Sequence, residues 1–86
     1  MEAFTEFFTQ DNKTDFRVEC YAGSAMHFSE YEVEDEQALQ RLVGVDPVKI
    51  LTERFSQGNA VLQFLKENGI AYKEIYKGFA DTSSDV

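Results

Sequence analysis

The stretch Asp15-Phe16-Arg17-Val18-Glu19-Cys20-Tyr21-Ala22-Gly23-Ser24-Ala25-Met26-His27-Phe28-Ser29-Glu30-Tyr31-Glu32-Val33-Glu34 decides the fold. At its centre Gly23-Ser24 separates two runs rich in β-branched and aromatic residues, the pattern of a hairpin closed by a two-residue II′ turn. A loop of that length sets the register and places Ala22 opposite Ala25. Counting outward, Cys20 falls opposite His27, Val18 opposite Ser29 and Phe16 opposite Tyr31. With Val33 these make one largely apolar face, because side chains alternate along a strand. The other face receives Tyr21 opposite Met26, Glu19 opposite Phe28 and Arg17 opposite Glu30.

The second arm runs into an acidic row, Glu30, Glu32 and Glu34, followed by Asp35 and Glu36. Alternation puts the first three carboxylates on one face, roughly 6.7 Å apart. They are expected to be exposed and to repel one another. Two readings fit: a solvated strand face, or a surface that offers negative charge to a basic partner.

The flanks complete an α+β domain. Residues 2–9 admit two readings. As a short helix, the preferred one, Phe4, Phe7 and Phe8 share a face, whereas as a strand Phe4 and Phe8 share a face with Glu6, a poorer partition. Residues 10–14 read as a turn. After the hairpin come two to three short helices. Asp35 caps Glu36–Val43, with Gly44 as its stop. Asp46-Pro47 opens a second, with Val48, Leu51 and Phe55 as its buried stripe. A third follows Gly58-Asn59, carrying Val61, Leu62, Phe64 and Leu65, and Asn68-Gly69 ends it. Ile70–Lys77 then reads as a C-terminal strand that joins the sheet. Residues 1–79 make one compact domain and 80–86 a polar tail.

The chain has 86 residues, enough for one domain with a small stability margin. Its eight Phe and four Tyr supply a core without staples. A lone cysteine, Cys20, excludes an internal disulfide and a Cys-rich zinc site. The first residues show neither a basic n-region nor an apolar h-region, and no apolar run reaches the length of a membrane span, so a cytoplasmic location is expected. The net charge of −8 resides in residues 1–46, while residues 47–86 balance. Direct nucleic-acid binding is disfavoured, since phosphate contacts need a basic patch. Attraction to a basic protein surface is favoured.

Candidate chemistry is sparse. Cys20 and His27 form a conceivable nucleophile–base pair, but nothing is placed to orient His27, and a core thiol is the simpler reading. His27 and the glutamates point to opposite faces, which argues against a shared metal. Neither an enzyme nor a cofactor is expected. Ser83-Ser84-Asp85-Val86 matches a minimal PDZ-ligand pattern.

Phe64–Ile75 resembles the helix–Gly–strand segment of glutaredoxin-type proteins. That family needs a redox cysteine at the start of the helix. Here the corresponding stretch, Ser56-Gln57-Gly58-Asn59-Ala60, has none, so no redox activity is implied. By size and charge the chain resembles small acidic phage-encoded anti-defence proteins, of the anti-CRISPR and DNA-mimic kind. That resemblance implies a non-enzymatic inhibitor whose acidic hairpin face occupies a basic, nucleic-acid-binding protein of a host defence system. Its partner-binding residues would be Glu19, Glu30, Glu32, Glu34, Asp35 and Glu36, with Tyr21, Met26 and Phe28 as an apolar patch. The alternative is a small structural or adaptor domain that works by homodimerisation, through its sheet edge or that patch.

Overall fold

The computed structural model describes residues 2–81, so the Ser83–Val86 pattern lies outside the described residues. The order of elements is β1 (Glu2–Gln10), β2 (Lys13–Ala22), β3 (Ala25–Val33), α1 (Glu36–Val43), α2 (Pro47–Phe55), α3 (Ala60–Glu67) and β4 (Tyr72–Asp81). The strands form one antiparallel sheet in the order β1-β2-β3-β4, with the three helices inserted before the last strand. The fold is α+β, and its C-terminal strand joins the sheet.

The central hairpin has the expected register, from Ala22 opposite Ala25 to Phe16 opposite Tyr31. Gly23 adopts φ +63°, the left-handed region that a two-residue hairpin loop requires at its first position. The expected apolar face is the one the helices cover. Phe7, Phe16, Val18 and Val33 from the sheet pack with Leu39, Leu51, Val61, Leu65 and Ile70. Phe16 stacks on Tyr31 with ring centroids 5.0 Å apart.

Residues 2–9 form a strand, not the short helix that the phenylalanine spacing suggested. Two features decide this. Asp11 and Asn12 adopt φ +53° and +64°, so they make a two-residue loop with both residues left-handed, the I′ geometry that joins strands. As a strand, Ala3, Thr5 and Phe7 turn toward the helices, while Phe4, Glu6 and Phe8 join a mixed face that β2 already carries. Thr5 is buried, and its hydroxyl donates to the Gly58 carbonyl at 2.6 Å.

The last strand also differs from expectation. Ile70 and Ala71 precede it: Ile70 is buried, and its N–H donates to the Leu65 carbonyl, closing α3. At its far end β4 takes in Ala80 and Asp81, which extend the sheet beyond residue 79.

The first two helices begin where their caps direct. The Asp35 and Asp46 carboxylates accept from the Ala38 and Lys49 N–H groups, satisfying donors that a first turn leaves unpaired. The described residues span 48 × 22 × 20 Å, longer than the helices can cover. His27 therefore stays exposed on the helix-side face near the hairpin tip, its ring 4.8 Å from that of Phe79. No helix among the described residues is long and apolar enough to cross a membrane.

Candidate functional site

The sheet's second face carries no helix, and most of the expected recognition residues lie on it. Register brings Glu19, Tyr21, Met26, Phe28 and Glu30 together, with Glu32 one step along β3. β1 adds Phe4 and Glu6, and β4 adds Tyr76 and Lys73.

Arg17 organises the middle of this face. Its guanidinium carbon lies 3.9 Å from the Phe28 ring centroid, within cation–π range. Its Nε is 3.3 Å from Glu19 Oε2, and Nη1 is 3.9 Å from Glu30 Oε1. Tyr21 donates its hydroxyl to the other Glu19 oxygen at 3.0 Å, and that bond to a carboxylate raises the tyrosine pKa. The Phe4 and Tyr21 rings meet edge to face with centroids 6.0 Å apart, and Phe28 lies 5.7 Å from Tyr76. The result is aromatic rings interleaved with carboxylates around one buried-edge cation.

The acidic row is not the free row expected from its spacing. Glu30 and Glu32 are half-buried rather than exposed. Glu30 faces Arg17, and Glu32 Oε2 lies between Lys13 and Lys73, at 3.8 and 3.7 Å. Cations drawn from β2 and β4 reduce the mutual repulsion that spacing alone implied. Glu34 is exposed but lies past the end of β3. Asp35 and Glu36 have structural roles. Asp35 caps α1, and Glu36 accepts from the Thr14 N–H and hydroxyl at 2.7 and 2.9 Å, tying the helix to the start of β2.

Asp15 is a residue of this face that sequence reasoning missed. It sits on this face opposite Glu32, only 1% exposed, and its Oδ1 has no hydrogen-bond partner among the described residues. Burial pushes its carboxyl pKa up, and the charges of Glu32, Asp11, Glu30 and Glu36 add to the shift. The signal was present, since the hairpin register one step beyond Phe16–Tyr31 sets two carboxylates face to face. Phe4, Glu6 and Tyr76 were missed for another reason: residues 2–9 read as a helix, and nothing in the sequence paired the C-terminal strand with β3 or revealed its bulge.

Cys20 shares the helix-side face with His27 and packs against the core. Among the described residues there is no pocket and no group of three or more His, Cys, Asp or Glu side chains arranged to hold a metal ion. No family model matches the chain, and no curated protein or solved structure matches it.

Proposed function

We propose that this chain is a non-enzymatic inhibitor that uses its uncovered sheet face to bind a basic, nucleic-acid-binding protein. The class of target is a host-defence protein such as a CRISPR–Cas effector, met in the cytoplasm. The observation that carries this reading is the composition of that face, where Glu6, Glu19, Glu30 and Glu32 surround Phe4, Tyr21, Phe28 and Tyr76. Aromatic rings are efficient anchors in interface centres, and carboxylates complement a basic groove. The ion pairs of Glu30 and Glu32 are long, 3.7–3.9 Å, and partly solvated. Pairs of that kind are worth under about 1 kcal/mol, so a partner's arginine can displace the chain's own cation.

The test is a DNA-binding assay with guide-loaded Cas effectors and restriction endonucleases, the purified chain added as competitor. The wild-type chain should reduce DNA binding by its target, and rising salt should weaken the effect. Combined Glu30→Gln, Glu32→Gln and Glu34→Gln should weaken inhibition at least about tenfold while leaving the fold intact. Inhibition unchanged by the triple substitution at low salt would place recognition elsewhere.

A further inference from the structure

The sheet ends in two unlike edges. On the β1 side, the segment after α2 covers the backbone: Thr5 N–H donates to the Ser56 carbonyl at 2.8 Å, and Gly58 N–H to the Ala3 carbonyl at 2.6 Å. On the other side, β4 has no strand neighbour beyond β3 among the described residues. It is ten residues long, and Ile75, Tyr76 and Phe79 are 44%, 56% and 58% exposed. A long exposed edge is a template for pairing with another strand.

We propose that β4 pairs antiparallel with β4 of a second copy, about a two-fold axis through Tyr76, joining two sheets into one. The register of β4 favours this pairing independently of the inhibitor reading. Glu30 pairs with Tyr76 and Tyr31 with Glu74, so Ile75 is an extra residue, a β-bulge. The bulge moves Glu74 to the helix-side face, which Lys77 also occupies, and each lies one pairing step from Tyr76. A two-fold axis perpendicular to the sheet keeps each residue on its own face. Centred on Tyr76, it sets Glu74 of each copy against Lys77 of the other. The same operation sets Tyr72 against Phe79 on the helix side, and Lys73 against Gly78 on the uncovered side.

In a strand without the bulge, Glu74 and Lys77 would point to opposite faces, and this axis could not oppose them. Sliding the axis one step either way sets Lys77 against Lys77, or Glu74 against Glu74. Only the register centred on Tyr76 matches both charges and both rings. Charge also selects this edge for self-association. The chain carries −8, but β4 balances Lys73 and Lys77 against Glu74 and Asp81, so two copies meet there with less repulsion than the acidic first half would give.

The experiment measures mass by sedimentation equilibrium of the full chain over a wide concentration range, with circular dichroism confirming that each variant is folded. The wild-type chain should dimerise as concentration rises. Lys77→Glu and Glu74→Lys should each weaken the dimer about tenfold or more, since each places like charges opposite one another twice. The double variant Glu74→Lys/Lys77→Glu should restore it. Mixing the two single variants should give a heterodimer, because every opposed pair is then complementary. A chain that stays monomeric at all concentrations would overturn the proposal, with Lys73, Lys77 and the bulge serving only to guard the edge. So would a dimer indifferent to these substitutions.

Discussion

Asp15 shows how a single carboxylate can work against the fold that holds it. Its folded pKa is raised, by burial first and by neighbouring carboxylates second. The folded chain therefore holds this proton more tightly than the unfolded chain does. The resulting stability is fully present below the unfolded pKa and is lost as pH rises through the folded value. Asp15→Asn removes the buried charge and its repulsion with Glu32, so it should raise stability at pH 7, measured by denaturant unfolding. Its advantage should shrink as pH falls through the folded pKa; a loss of stability at pH 7 would refute this account. Gly78 acts the other way, by leaving room for a ring. A Cβ there would lie 2.2 Å from Phe28 Cζ, because the ring lies across the glycine of the neighbouring strand. Gly78→Ala should cost about 1–3 kcal/mol by forcing the ring off Arg17 and Tyr76. In a double-mutant cycle with Phe28→Ala, the two losses should sum to more than the combined variant shows.

At the scale of elements, two turns separate what was legible from what was not. Gly23-Ser24 carries the strongest short-range hairpin signal, and the β2–β3 register follows from it residue by residue. Asp11-Asn12 makes an equally short loop without glycine, so β1 read as a helix from its phenylalanine spacing. Asn tolerates the left-handed region better than other residues with a Cβ, which is why it serves at φ +64°. Asn12→Ala should cost roughly 1 kcal/mol, whereas Asn12→Gly should cost nothing, as read by chemical denaturation. Equal losses from both would mean that the asparagine side chain, rather than the backbone angle, holds the turn. The helices were legible because capping aspartates and breaking glycines mark their ends. The recognition face was legible only in part. Pairing within the hairpin assembled its centre, but which cation neutralises which glutamate depends on β4, four elements after β3.

For the whole molecule, the insertion of three helices between neighbouring strands governs the order in which the sheet is assembled. β1, β2 and β3 are joined by two-residue loops, so their pairing closes small loops at little entropic cost. β4 must find β3 across the 38 residues numbered 34–71, and such non-local pairing is slower than hairpin closure. During synthesis, the first three strands emerge before the helices, and the helices before β4. Until β4 arrives, β3 is itself an open edge, and the ring of Phe28 has no Gly78 to lie across. The nascent chain thus passes through an interval in which its sheet is sticky at β3, an interval that ends only when the last strand leaves the ribosome and docks.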